Sequence, residues 1–428
     1  MSFLNEVKNL HNIVRKGTRD SSLSLRTTLP RLFTKPSLIG KKYLNIFLLF
    51  ITGISLFTSC TEEVSPPESM RLNFYVTVID TSVFTKTLLG TTAVESATVF
   101  INSISYYNSF DTLSDSLGNA IFEDILPDKY NISVTKRIPG HIAEQVTGSP
   151  LDRVLNGQIQ NLEVFGDEFS TIVYVVPATL GQLVISEIYY NGSPPDPFPY
   201  YFHDQFTELY NNSDDTLYMD SLIIADVDYG YRDDDYIHSI HAYMFPGNGK
   251  DYPVAPGEFI IVAQDGTDHS AVNHSSIDLS SADFEYYAPM GSDVDIPEVT
   301  NMIQLHHKYG VDFLYSVMND AIVLIKVKNP YAYGYDQHNC ILFPKYAVLD
   351  GVEYRDNLAE VEYKRLDSSI DAGLTGGFEM YSGKSIQRRI DHYEDNRPIL
   401  MDNNNSSIDF QVIDHPTLRY FFDDAGGK

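Results

Sequence analysis

The sequence predicts an all-β chain: two tandem β-sandwich domains behind a processed N-terminal leader. Three observations carry this expectation. Apolar residues alternate with period two in short runs, as over Leu72–Ile79, and no stretch repeats convincingly at helical spacing. Turn residues separate those runs at short intervals. The chain has 30 Tyr and 24 Phe but no Trp, and Tyr and Phe favour the pleated, half-buried surface of a strand.

The leader is read from Cys60. A basic pair, Lys41 and Lys42, precedes an apolar run from Tyr43 to Phe57, then Thr58-Ser59-Cys60. A charged region, an apolar core and small residues before a cysteine form a lipoprotein signal. The expected product is cut before Cys60 and acylated on it, with residues 1–59 removed and 60–69 left as a lipidated tether. Fifteen apolar residues rise only ~22 Å as a helix, short of a ~30 Å hydrocarbon core, which disfavours a transmembrane anchor. The stretch before Lys41 is long for such a signal, so a start near residue 41 is expected. Thr61–Ser69 (TEEVSPPES) is polar and proline-containing, hence extended. Its Glu62 and Glu63 resemble the acidic export signal of Bacteroidota lipoproteins, which implies the extracellular side of the outer membrane.

Charge excludes one class of partner. Residues 1–60 hold 9 of the 30 basic and 2 of the 58 acidic residues, leaving 21 basic and 56 acidic beyond them, a net of −35. Phosphate backbones repel such a body, so nucleic acid is not an expected partner. With Cys60 acylated, Cys340 is the one remaining cysteine. It cannot form an internal disulfide and reads as a buried, inert side chain.

Residues 70–178 form the first domain. In Leu72–Ile79, Leu72, Phe74, Val76 and Val78 face one way, and Asn73, Tyr75 and Thr77 the other. Further strands are expected at Ala97–Ile101, Ala120–Phe122, Tyr130–Thr135, Leu162–Phe165 and Thr171–Val176. Turns at Asp115–Asn119 and Pro127-Asp128 divide them. Ala97–Ile101, Asp115–Phe122 and Leu126–Ile132 together resemble the carboxypeptidase-regulatory, transthyretin-like sandwich. That resemblance implies a hairpin turn at Gly118, a Tyr130 that caps the next strand, and a structural or adhesive role.

Residues 181–414 form the second domain, followed by a C-terminal tail, 415–428. Leu183–Tyr190, Phe206–Asn212, Leu217–Leu222, Val254–Ala263, Ser385–Arg389 and Asp402–Phe410 follow in an order that resembles the lamin-tail, immunoglobulin-like domain. The whole is similar to an uncharacterised group of Bacteroidota lipoproteins built on such a domain. The excess length falls into insertions at 191–205, 226–253, 264–320 and 327–346. Loops on a rigid sandwich commonly carry function, so a ligand site is expected there.

Several constellations could carry chemistry. No Gly-x-Ser-x-Gly elbow is present, so nucleophilic hydrolysis finds no support. Glu187 and Glu208 lie on neighbouring predicted strands and could form a glycosidase pair, but they read better as structural acceptors. Asp226, Asp228, Asp233 and Asp235 offer hard oxygens suited to calcium, although the spacing departs from an EF-hand after its first half. His238 and His241 would point to opposite faces of a strand, against zinc. Aromatic loops offer Phe198, Tyr200 and Tyr201 in a proline-stiffened run, and Tyr229, Tyr231 and Tyr236 among acids. Tyr-rich surfaces suit sugar stacking or protein recognition.

The expected function is therefore non-catalytic: a surface lipoprotein that binds a protein or glycan, with an outer-membrane transport barrel as one candidate partner. No cofactor beyond calcium is suggested. The alternatives are a metal-assisted hydrolase using the acidic loops, or a structural spacer.

Overall fold

Leu72, Phe74, Val76 and Val78 point inward from the first strand, as the period-two pattern predicts, and all four are fully buried. The computed structural model describes residues 71–422, apart from 149–151, 198–199, 229–232, 234, 290, 292 and 359–363. Cys60, the leader and the tether lie outside the described residues. So do Phe198, Tyr229 and Tyr231.

The chain is all-β, with seven strands in its first part: β1 (Leu72–Asp80), β2 (Thr98–Ser103), β3 (Ser109–Leu113), β4 (Asn119–Ile125), β5 (Asp128–Ile138), β6 (Arg153–Val164) and β7 (Glu168–Thr179). They form one sheet in the order β3-β2-β5-β6-β7-β1-β4. β7 joins its two halves. Glu168–Val175 pairs in parallel with β1, and Val176–Thr179 pairs antiparallel with β6. The edge strands β3 and β4 touch, so the sheet is nearly closed into a barrel around a core of Phe74, Val99, Ile132, Leu155 and Val173. Gly118 takes φ 80° in the β3–β4 turn, where a Cβ would lie 2.6 Å from the Val78 carbonyl. The Tyr130 hydroxyl donates to the Leu126 carbonyl at 2.8 Å.

Two short helices, unexpected from periodicity, touch each other and pack on this core through Phe84 and Ala143: α1 (Val83–Leu89) and α2 (Gly140–Thr147). Seven or eight residues are too few to display a helical period. Their signals are at the caps: Ser82 accepts from the Phe84 amide, and Gly90 and Gly148 end the helices in the left-handed region.

The second part holds β8 (Leu183–Tyr189), β9 (Phe206–Asn211), β10 (Leu217–Tyr218), β11 (Leu222–Val227), β12 (Tyr236–Met244), β13 (Pro253–Val254), β14 (Phe259–Ala263), β15 (Phe284–Glu285), β16 (Thr300–Asn301), β17 (Ile303–His307), β18 (Asn319–Lys326), β19 (Ile341–Pro344), β20 (Val348–Arg355), β21 (Thr375–Gly376), β22 (Ser385–Arg388), β23 (Ile390–Glu394), β24 (Arg397–Leu400) and β25 (Phe410–Ile413). One sheet runs β17-β12-β11-β18-β20-β21, with β19 also on β12; the other runs β16-β15-β14-β9-β8-β22-β25. Ile185, Leu209 and Ile386 of the second sheet share a core with Ile224, Leu324 and Val352 of the first.

Both sheets are also covered on their outer faces. β8, β9 and β11 are buried along their whole length. Runs such as Leu222-Ile223-Ile224-Ala225 and Ile322-Val323-Leu324-Ile325 are apolar at both parities, as strands covered on two sides require. Ile223, Val323 and Phe343 meet Leu366 and Ile370 on one outer face. Tyr189, Phe206 and Ile261 meet Leu279 on the other. The insertions thus supply strands and covering layers as well as loops.

The described residues belong to one compact unit, Glu68–Lys428. Its two parts are joined through hydrogen bonds. Asn156, fully buried on β6, donates to the carbonyls of Asn403 (2.7 Å) and Asn404 (3.1 Å).

Candidate functional site

The loop between β8 and β9 is closed at its base by the Ser193 amide donating to the Tyr201 carbonyl at 2.8 Å. Buried Asn191 ties it to the 379–382 segment: its side chain donates to the Glu379 carbonyl (3.0 Å) and accepts from the Ser382 amide (2.6 Å). This clamp sets Tyr381 against the loop. Tyr200 is 67% exposed, with its ring 5.0 Å from Tyr381. Phe202 lies 6.1 Å from Tyr381 and stacks on the His203 imidazole at 5.4 Å. The result is a partly exposed aromatic strip, Tyr200–Tyr381–Phe202, that ends on His203.

His203 leads into a carboxylate cluster. Its Nδ1 is 3.3 Å from Asp312 Oδ2, and the hydrogen bond to Asp312 raises the imidazole's affinity for a proton. Asp312 Oδ1 accepts from Gln264 Nε2 at 2.6 Å. Asp293 accepts from the Ala288 amide at 2.6 Å. Burial, reinforced by the charges of Asp312 and Asp293, pushes the Asp265 carboxyl up to about 7. Burial and the neighbouring Asp312 push Asp293 up to about 6. Asp265 Oδ1, Asp293 Oδ1 and Gln264 Oε1 are buried without a hydrogen-bond partner among the described residues. Unpaired buried acceptors are costly, so the cluster favours hydrogen-bond donors.

Two features flank the cluster. Tyr201 is half-buried, and its hydroxyl meets His269 Nδ1 at 2.7 Å. His269 Nε2 faces the Asp265 carbonyl at 3.0 Å, so that nitrogen carries the hydrogen and Nδ1 accepts from the Tyr201 hydroxyl. On the other flank is a cleft of about 330 Å³ lined by Gln304, His306, His307 and Val311. Tyr243 bonds His307 Nδ1 there at 2.9 Å.

The acidic calcium candidates are held apart. Asp226 is buried and accepts from the His241 amide and Nδ1, both at 2.6 Å. Asp228 lies 3.0 Å from the buried Cys340 sulfur and 3.4 Å from Lys308 Nζ. Burial pushes the Cys340 thiol up to about 12, so it stays protonated at neutral pH. Asp233 accepts from the turn amides of Asp235 and Tyr236, and Asp235 is exposed. Among the described residues, no group of three or more His, Cys, Asp or Glu is arranged to hold a metal ion. Tyr236 stands away from the aromatic strip on β12, 5.9 Å from Tyr333.

Of the aromatic candidates, Tyr200 and Tyr201 fall at the cluster. Tyr381, His203, Asp265 and Asp312 were missed because nothing local links them: Asp265 and Asp312 stand at opposite ends of the 264–320 insertion, His203 lies in 191–205, and Tyr381 lies outside the insertions. Only the prolines of 194–199 gave a local signal.

Residues 255–417 match the model of a family described as "Protein of unknown function (DUF4876)". A search of curated proteins finds no match. The fold is similar to the crystal structure of a DUF4876 family protein from Bacteroides thetaiotaomicron VPI-5482, at 24% identity and a TM-score of 0.51, over 79% of this chain and 94% of that one. These likenesses place the fold of this chain beside an uncharacterised protein family found in Bacteroides.

Proposed function

We propose that this chain is a non-catalytic surface lipoprotein, anchored through Cys60, whose second domain is a lamin-tail-like binding module for a hydroxyl-rich ligand, a glycan. The carboxypeptidase-regulatory-like first domain carries it away from the membrane, and a transport barrel is a suitable partner. One observation carries the ligand reading: a partly exposed aromatic strip, Tyr200–Tyr381–Phe202, ends on His203 beside buried oxygen acceptors at Asp265, Asp293 and Gln264. Sugars offer an apolar C–H face for stacking and hydroxyl donors at their edge, and the two halves of the site match those two needs. Calcium has no assembled place in this reading.

Glycan-array screening of residues 61–428, followed by titration of the best hit, tests it. Tyr200→Ala and Tyr381→Ala should each weaken binding about three- to tenfold, corresponding to stacking worth ~0.5–1.5 kcal/mol, with an unchanged melting temperature. No retained glycan, or hits indifferent to both substitutions, would remove the reading. Membrane fractionation of Cys60→Ala tests the anchor; a variant still held in the outer membrane would refute it.

A further inference from the structure

The residues that follow β25 do not trail away. Residues 415–422 cross the outer face of the second sheet, over β22, β8 and β9. Leu418 packs with Tyr189, Phe206 and Leu279, and Phe421 packs with Val184, Tyr210 and Leu400, so the segment bridges two separate apolar clusters. Between these anchors its backbone is held by side chains of the sheet. The Thr417 amide and hydroxyl donate to Glu187 at 3.0 and 2.9 Å. The Arg419 amide donates to Glu208 at 2.6 Å, and the Phe422 amide to Gln387 at 2.8 Å. Arg419 adopts φ 57°, a left-handed conformation that a non-glycine residue holds only under constraint.

Glu187 and Glu208 are register partners on adjacent strands, and both are fully buried. The charged groups around them are few. Arg419 contributes its charge from the strap, but its guanidinium is 2.8 Å from Asp283, on the segment before β15. Lys384 pairs with Asp414 at the exposed start of the segment, and His415 is exposed. From β22, Gln387 is neutral and donates to Glu187 at 2.9 Å. No buried cation among the described groups balances two ionised carboxylates.

We propose that residues 415–422 are a proton-gated strap, closed over Glu187 and Glu208 in acid and neutral conditions and released when both carboxyls ionise. Burial pushes Glu187 up to about 7; burial and the charge of Glu187 push Glu208 up to about 8. Because both are raised from 4.5 in the closed state, closure is fully favoured below that value and is lost progressively as pH rises from there through 7 to 8. Release would expose an aromatic patch, Tyr210 and Phe259, beside two carboxylates. The inference is independent of the glycan reading.

Hydrogen exchange by mass spectrometry on residues 61–428, corrected for the intrinsic rate, tests it from pH 5.5 to 9.5. Protection of the 417–422 amides should fall at least tenfold between pH 6 and 9 while β18 stays protected. Glu187→Gln/Glu208→Gln should hold strap protection within about twofold over that range. Phe421→Ala keeps both carboxyls and weakens one apolar anchor, so it should move the loss to lower pH. Wild-type protection that does not change with pH, an undiminished fall in the Gln variant, or an unmoved midpoint in Phe421→Ala overturns the proposal.

Discussion

Replacing Arg388 with Met should be among the most damaging single changes in this chain. Arg388 is fully buried on β22. Its Nε donates to the Ile185 carbonyl at 2.8 Å and its Nη1 to the Met401 carbonyl at 2.9 Å. Its guanidinium lies 2.6 Å from Asp350, 3.4 Å from Asp402 and 3.7 Å from Asp409, and over the Phe410 ring at 4.7 Å. One cation therefore serves three buried carboxylates from three segments. Burial has already pushed Asp402 up to about 7 and raised Asp409. Removing one partner of a buried pair typically costs ~3–5 kcal/mol, because the remaining charge is left uncompensated. Met keeps most of the volume, so the loss is electrostatic. At about 2 °C per kcal/mol for a unit of this size, the melting temperature should fall by ~6–10 °C.

Urea denaturation followed by far-ultraviolet circular dichroism would measure the loss, since the chain has no Trp to report. The cost should depend on pH. Without the guanidinium, which holds them down, Asp402 and Asp409 are raised further above their unfolded values. Their contribution is then present in acid and is lost as pH rises. The variant's deficit should therefore shrink from pH 8 toward pH 5. A loss below ~1 kcal/mol at pH 7.5, or one equal at both pH values, would refute the reasoning.

Two further outcomes follow from other sites. Asp265→Asn should gain at least about 1 kcal/mol more over the wild type at pH 8 than at pH 4, because a carboxyl raised from 3.8 to about 7 in the fold costs little near its unfolded value and progressively more as pH rises to 7; denaturation at the two pH values measures this, and equal gains would contradict it. Gly376→Ala should lose about 2 kcal/mol in thermal unfolding, because the glycine sits at φ 101° and a Cβ there would lie 2.4 Å from the Arg355 carbonyl; a variant as stable as the parent would show that β21 can move.

Strand spacing in the first part predicts a sandwich but does not distinguish two facing sheets from one curling sheet. β7 decides the matter by changing partners midway, from β1 to β6. β3 was missed at Ser109–Leu113 because it is an exposed edge strand whose residues carry no inside–outside alternation. Glu187 and Glu208 read correctly as structural acceptors, but their donors are amides of Thr417 and Arg419, more than two hundred residues away in the chain. Tyr200 and Tyr201 were recognisable from their proline-rich setting; His203, Asp265, Asp312 and Tyr381 were not.

The sequence by itself determined that the chain is all-β and strongly acidic, and where its clearest strands lie. Those properties follow from side-chain periodicity and charge, which are local and additive along the chain. Tertiary structure alone decided that the insertions double as outer layers and that Asp265, Asp293 and Asp312 converge beside His203. It also decided that the 415–422 segment closes over a carboxyl pair. Each of these depends on which distant segments become neighbours, and burial then changes the chemistry of groups that look ordinary in the sequence.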